Sequence, residues 1–218
     1  MKIKRILSRA LVFGLLVASS TTYASVIKFD IEGLDSLGSG TALVIDFIDG
    51  DGASSSVWVN GIATDGTTGL GEAIGSVTPL ADGYLLDDSN FYSSLALTLT
   101  GASQLSLYLN TTHYPPAPGL FADVLALYLV DFATGIPSLF TDEPLGANAL
   151  ISWTPTGVGN GDLSVYGPTS TGPISWTAVF VNATGPTNSI PEPSPLLLLG
   201  AGIMAGLAVR HSLKEKQA

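Results

Sequence analysis

Apolar and polar residues alternate along much of the chain with a period of two. In "SLALTLT", Leu95, Leu97 and Leu99 alternate with small or polar residues, and "QLSLYLN" and "ISWTAVFVN" repeat the pattern. Strict alternation is typical of a strand with one buried face. The runs "TALVIDFI" and "DVLALYLVD" are apolar on both faces, which indicates central strands covered on both sides.

Stretches rich in Gly and Pro separate these runs, among them "DGDGAS", "TDGTTGLGEAIG", "TTHYPPAPG" and "TPTGVGNGD". Roughly nine or ten short strands with turn signals at this frequency predict an all-β fold. We expect an antiparallel two-sheet β-sandwich, jelly-roll-like, over residues 25–183, with a linker at 184–190. Helices are expected at the two ends of the chain.

The N-terminus has the order of a secretory signal peptide. A basic segment, "MKIKRILSR", precedes the apolar "ALVFGLLVA" and the small-residue "SSTTYA". This order predicts a signal peptide over residues 1–24, with a signal helix and cleavage between Ala24 and Ser25.

The C-terminus predicts a short membrane anchor. No charged residue occurs from Leu196 to Val209, and we expect a transmembrane helix over 195–209. Fourteen helical residues span about 21 Å, less than the hydrocarbon core of about 30 Å. Basic residues follow, and the positive-inside rule places them in the cytoplasm. They are Arg210, His211, Lys214 and Lys216.

The tail 191–218, in which Pro191, Glu192 and Pro193 precede the apolar run and the basic end, resembles the PEP-CTERM sorting signal of Gram-negative bacteria. The resemblance implies that exosortase, a membrane enzyme, recognises these three residues and processes the tail. It also implies export, a transient anchor in the inner membrane, and a final place at the cell surface or outside the cell. A permanent single-span anchor is the alternative.

Stretches of the body resemble small, uncharacterised PEP-CTERM proteins. They are "GSGTALVIDFIDGDG", "GSVTPLADG" and "FADVLALYLVDFATGIPSLFTDEPLGANALISW", and together they cover much of residues 38–153. This resemblance implies a single all-β domain and conveys no activity.

The charge of the body excludes some partners. Residues 25–190 contain sixteen acidic residues and one basic residue, Lys28, a formal charge of −15. Nucleic-acid binding needs clustered Lys and Arg, so we expect no nucleic-acid partner. The chain has no cysteine, which excludes thiol catalysis and cysteine-bound zinc.

One stretch, "DFIDGDG", contains candidate metal ligands. Asp46, Asp49 and Asp51 offer the hard oxygen ligands that calcium prefers. An Asp-Gly hairpin turn explains the same residues. The sequence therefore requires no cofactor, and calcium is the candidate.

Catalytic patterns are lacking in the body. His113, in a Pro-rich stretch, has no nucleophile motif beside it and is interpreted as a surface-loop residue. Glycoside hydrolysis needs two carboxylates at a fixed separation, and Glu32, Glu72 and Glu143 lie in no recognisable motif. We expect no enzyme. Aromatic residues are interpreted as core residues or as a sugar-stacking platform: Trp58, Tyr84, Tyr92, Tyr108, Tyr114, Tyr128 and Trp153.

The sequence thus predicts a structural or adhesive protein of the exopolysaccharide or biofilm layer. Its expected partners are exosortase, an exopolysaccharide or cell-surface glycan, and the inner membrane before processing. The alternatives are a carbohydrate-binding module, including a calcium-dependent lectin-like one, and third a secreted hydrolase.

Overall fold

The computed structural model describes residues 23–52, 54–113, 120–156, 161–170 and 172–181. The predicted signal and transmembrane helices, the linker, the Pro191–Pro193 element and the basic end lie outside these residues. Within them the chain forms twelve strands and one short 3₁₀ helix, Leu34–Leu37. The strands are β1 (Tyr23–Glu32), β2 (Thr41–Ile48), β3 (Ser56–Thr64), β4 (Thr67–Ile74), β5 (Ser76–Leu80), β6 (Gly83–Asp87), β7 (Tyr92–Thr100), β8 (Gln104–His113), β9 (Val124–Asp131), β10 (Ile151–Thr154), β11 (Asp162–Val165) and β12 (Ser175–Phe180).

The strands form two antiparallel sheets of six strands each. The first sheet has the order β12-β1-β8-β3-β6-β5, and the second has the order β11-β10-β9-β2-β7-β4. This arrangement confirms the prediction of an all-β protein with two antiparallel sheets, consistent with a β-sandwich.

Consecutive strands pass from sheet to sheet at the start of the chain. Strands β1 and β3 lie in the first sheet, whereas β2 and β4 lie in the second. The two sheets share out consecutive strands as a jelly roll does. The first contains the neighbours β1-β8-β3-β6, and the second contains β2-β7-β4. Strand β5 departs from that plan because it pairs with β6 in the first sheet.

The core lies between the sheets and is built by the alternating residues. Leu95 and Leu97 of β7 are buried, as are Leu105 and Leu107 of β8. Between the sheets, the Trp176 side chain of β12 donates its indole N–H to the carbonyl of Leu150, 3.1 Å away, just before β10. Burial of these apolar faces is the main stabilising contribution to the fold.

Strand β2 corresponds to the predicted run "TALVIDFI", and it is central, between β9 and β7. The predicted turn "TDGTTGLGEAIG" is wrong, since most of it is strand β4. Nearly all of β4 is exposed, so its sequence lacks the apolar alternation that identifies a half-buried strand.

Strand β1 begins before the predicted signal cleavage point. Ala24 and Ser25 pair with Thr112 and Thr111 of β8. Among the described residues no helix is long and apolar enough to cross a membrane.

Candidate functional site

Three connections between strands meet at one end of the sandwich. They are the β2–β3 connection, the β6–β7 connection, and the segment that leads into β9. The backbone N–H of Asp49 donates to the carbonyl of Phe91, 3.0 Å away. Asp88 accepts the backbone N–H of Ser55 at its Oδ2. These bonds hold the first two connections together.

Three aspartates converge at this end. Asp49, Asp51 and Asp123 each offer a carboxylate oxygen, and these oxygens lie within 4.8 Å of one another. We call these three residues the acidic cluster. Asp123 is 1% exposed, while Asp49 and Asp51 are of intermediate exposure.

Backbone N–H groups position two carboxylates of the acidic cluster, those of Asp49 and Asp123. Asp49 Oδ1 accepts the N–H groups of Asp51 and Gly52, at 3.0 and 2.7 Å. Asp123 accepts the N–H of Gly50 at 3.1 Å through Oδ1. A Cβ at Gly50 would lie 2.3 Å from the carbonyl oxygen of Ala122. Only glycine allows this close approach of the two connections.

One oxygen of the acidic cluster is buried without a hydrogen bond. Asp123 Oδ2 has no partner of ordinary hydrogen-bond geometry in the described part of the chain, and neither does the hydroxyl oxygen of Ser55. Burial raises the pKa of Asp123, and the nearby Ser55 hydroxyl and Gly50 N–H lower it only in part.

A fourth carboxylate, Asp88, stands beside the acidic cluster. Burial, together with the charges of Asp123 and Asp49, raises the pKa of Asp88 to about 6, against the bond from the Ser55 backbone. Lys28 is the single Lys or Arg among the described residues, and its Nζ lies 2.9 Å from Asp30. No basic side chain of the described residues therefore neutralises the cluster.

The candidate trio Asp46, Asp49 and Asp51 is not the group of carboxylates that the fold assembles. Asp46 lies on β2 outside the acidic cluster, and its Oδ1 accepts the hydroxyl of Tyr92 at 2.9 Å. The alternative of a hairpin turn is wrong, because β2 and β3 belong to different sheets. The sequence did not identify Asp123 as a candidate ligand, because Asp123 lies 73 residues from Gly50 and no local pattern connects the two segments.

A second polar surface lies on the outer face of the second sheet. Tyr128 follows the buried Leu127 on β9 and so points away from the core. Tyr92 donates its hydroxyl to Asp46, and the hydroxyls of Tyr166 and Ser152 lie 2.8 Å apart.

These tyrosines are electrostatically coupled. Burial, followed by the charges of Asp46 and Glu143 and by the neighbouring Tyr92 and Tyr166, raises the pKa of Tyr128 to about 12. We call Tyr92, Tyr128, Tyr166 and Asp46 the tyrosine face.

His113 does not lie in a surface loop, and that prediction is wrong. It is the last residue of β8 and is 1% exposed. Its ring packs edge-on against Trp153, with 5.1 Å between centroids and 74° between planes, and burial lowers its pKa. Of the predicted aromatic platform, Trp58 and Trp153 are buried, and Tyr114 lies outside the described residues.

The body glutamates lie on separate elements. Glu32 ends β1, Glu72 is in β4, and Glu143 accepts the backbone N–H groups of Leu145 and Ala147. The three glutamates therefore lie in different parts of the fold.

Glu32 lines a groove of about 300 Å³ with Asp30 and Asp65. Burial acts to raise the pKa of Asp30, but hydrogen bonds from Lys28 and Ser106 and the charge of Lys28 together hold it below its usual range. Hydrogen bonds lower the pKa of Asp65 to about 2, and the bond from the Ser103 side chain has the largest effect. A general acid needs a raised pKa, and these two carboxyls are shifted the other way.

The PEP-CTERM protein-sorting motif matches residues 189–212 of the chain. The motif indicates an exported protein that exosortase sorts and processes, anchored transiently through its C-terminus and then placed at the surface. The match includes Pro191, Glu192, Pro193, Arg210 and His211. No curated protein and no solved structure matches the chain.

Proposed function

We propose that the exported protein is a structural or adhesive component of the exopolysaccharide or biofilm layer. The observation that carries the proposal is the sorting motif at 189–212 at the end of a β-sandwich of extreme acidity. A body with a formal charge of −15 repels copies of itself and stays dispersed. It associates with an acidic polysaccharide through cations or through uncharged contacts.

A second candidate function, carbohydrate binding, is favoured by the tyrosine face. Sugars bind proteins by stacking on aromatic rings and by hydrogen bonds to hydroxyl and carboxylate groups. Tyr92, Tyr128 and Tyr166 offer ring surfaces and hydroxyls, and Asp46 offers a carboxylate among them. Tyr128, Asp46 and Tyr92 lie on the adjacent strands β9, β2 and β7, and Tyr166 directly follows β11 of the same sheet, so a single glycan can contact several of them.

The first experiment deletes the gene in the producing strain and measures how much biomass and polysaccharide withstand shear. A matrix role predicts that the deletion weakens the layer and that the wild-type gene restores it. A layer of unchanged strength and composition would contradict the proposed function.

The second experiment restores the gene with Tyr92→Ala and Tyr128→Ala combined. Tyr108→Ala is the matched control, since Tyr108 lies between the buried Leu107 and Leu109 and so on the outer face of the first sheet. If carbohydrate binding is the activity, only the Tyr92/Tyr128 variant fails to restore the layer and to co-sediment with the purified exopolysaccharide. If both variants behave as the wild type, the role is structural and does not use the tyrosine face.

A further inference from the structure

We propose that Asp49, Asp51 and Asp123 bind a calcium ion, which joins the β2–β3 connection to the segment leading into β9. This site differs from the candidate trio named from the sequence, since Asp123 takes the place of Asp46. The inference stands apart from the matrix role, because it concerns metal binding by the isolated protein.

The buried oxygen of Asp123 is the first argument. Asp123 is 99% buried, and its Oδ2 has no hydrogen bond within the described residues while its Oδ1 accepts the N–H of Gly50. A buried carboxylate oxygen without a partner is costly, because water that solvated it is lost and nothing replaces it. Asp123 also offers one carboxylate oxygen that lies within 4.8 Å of oxygens of Asp49 and Asp51, and a cation is the partner that three converging carboxylates favour.

Charge balance is the second argument. The acidic cluster and Asp88 bring four carboxyls together, and Lys28, the sole Lys or Arg of the described residues, is engaged by Asp30. Like charges in a partly buried site destabilise the fold unless they are neutralised. A bound metal ion neutralises these carboxyls in their ionised form, whereas the single Lys or Arg of the described part is paired with Asp30.

The spacing of the oxygens fits calcium. Calcium binds oxygen at about 2.3–2.6 Å, so two ligands on opposite sides of the ion are about 4.6–5.2 Å apart. Oxygens within 4.8 Å of one another therefore reach a single ion without movement of the main chain. The hydroxyl oxygen of Ser55 and the carboxyl of Asp88 lie beside the three, and water completes the six to eight ligands that calcium takes.

The chemistry of the ligands favours calcium over other metals. Carboxylates are hard oxygen ligands, and the site has no histidine or cysteine, which zinc and copper prefer. Magnesium requires near-ideal octahedral geometry at about 2.0–2.1 Å and retains most of its water. Three carboxylates from two separate segments, two of which accept backbone hydrogen bonds, suit the more flexible shell of calcium.

The experiment uses the exported protein as recovered from the producing cells, stripped with EDTA and titrated with calcium by calorimetry. We expect a saturable heat with one ion per chain. Calcium at a hundredfold excess over Kd should raise the melting temperature by about 5–10 °C. Potassium chloride keeps the ionic strength constant, because screening of the −15 charge stabilises the protein with any salt.

Asp123→Asn is the decisive variant. Its amide oxygen can still accept the N–H of Gly50, whereas the negative charge is gone. We expect it to melt at or above the wild-type temperature in EDTA, since like-charge repulsion is relieved, and below the wild type in calcium. Asp49→Asn can keep both bonds from Asp51 and Gly52 and should also lose calcium binding. Asp46→Asn is the matched control and should bind calcium as the wild type does.

Three results would overturn the site. They are a wild type without saturable calcium binding, an Asp49→Asn or Asp123→Asn variant that binds as tightly as the wild type, and magnesium that displaces calcium at equal concentration. If Asp123→Asn does not fold, Asp49→Asn alone decides, because its backbone hydrogen bonds can be preserved.

Discussion

Asp65 shows how a carboxylate can be stabilised by hydrogen bonds where no basic side chain is its partner. It accepts the backbone N–H groups of Ser103 and Gln104, at 2.9 and 3.1 Å, and the hydroxyl of Ser103. These bonds join the β3–β4 turn to the start of β8. They also lower the pKa of Asp65 to about 2 from 3.8, so the folded state favours the ionised form.

Asp65→Asn should therefore lower the melting temperature at pH 7. Because the folded pKa lies below the unfolded one, this stabilisation is present above about pH 4 and is lost as the pH falls toward 2. Melting curves from pH 7 to pH 2.5 should show the difference from wild type shrinking over that window. Asp82→Asn, at an exposed turn position, is the control, and an Asp65→Asn deficit that is independent of pH would contradict the assignment.

Gly50 is the residue on which the close approach at the acidic cluster depends. Gly50→Ala would place a Cβ 2.3 Å from the carbonyl oxygen of Ala122, so a connection must shift. We expect a loss of about 1–3 kcal/mol in the free energy of unfolding, measured by urea titration. Gly172→Ala is the matched control, because nothing lies within 4 Å of its added Cβ, and it should change stability by less than about 0.5 kcal/mol. Equal effects of the two changes would contradict this account.

At the scale of the strand, burial depends on position within the sheet as well as on sequence. Leu70 of β4 and Leu97 of β7 are cross-strand partners, yet Leu70 is 52% exposed and Leu97 is 1% exposed. Strand β7 lies between β2 and β4, while β4 is at the edge of the second sheet. An edge strand has less protein around it, so the same residue type buries less surface there.

This pair provides a direct test of the core. Leu97→Ala should cost about 2–5 kcal/mol, through lost transfer free energy and the cavity left behind. Leu70→Ala should cost less than about 1 kcal/mol, because its side chain is half in water already. Urea denaturation of both variants measures the contrast, and a larger loss for Leu70→Ala would mean that the strand order at this edge is wrong.

At the scale of the whole molecule, the C-terminal sorting motif indicates export, and the described strands build a core between their two sheets. If the signal peptide is cleaved after Ala24, β1 retains Ser25–Glu32. All its pairs with β12 remain, because those pairs begin at Ile27. Cleavage removes the pairs that Tyr23 and Ala24 make with His113 and Thr112 of β8, while the other eight β1–β8 pairs, from Ser25 to Glu32, remain.

A chain of residues 25–190 should accordingly fold in the reducing cytoplasm of an expression host. We expect a soluble protein with a β-rich circular-dichroism spectrum. Its melting temperature should not change with dithiothreitol, since the sequence has no cysteine. A helical or disordered spectrum would contradict the view that the sandwich is self-sufficient.

Processing by exosortase should remove the C-terminal tail. The sorting motif matches residues 189–212, and mature protein recovered from outside the cell should lack everything beyond the Pro191–Pro193 region. Intact-mass measurement decides this. A mass that includes Arg210–Ala218 would indicate a permanent anchor instead.

The sequence by itself determined the features that depend on neighbouring residues or on the composition of the chain. Period-two alternation identified the faces of β7 and β8, because neighbouring side chains on a strand point to opposite sides of the sheet whatever its partners are. The sorting motif and the charge are likewise properties of contiguous residues or of the sum over the chain. Strand β4 escaped detection because an exposed edge strand buries little and needs no alternation.

Only the tertiary structure decided which distant residues meet. Asp123 joins Asp49 and Asp51 because β9 and β2 pair antiparallel, with Val124 opposite Ile48, so the residues flanking them fall at the same end of the sandwich. His113 is likewise buried by a distant residue, because Trp153, which packs against its ring, lies on a strand 40 residues further along the chain. Register and sheet order arise from the packing of the whole core, and a local pattern of residue types contains neither.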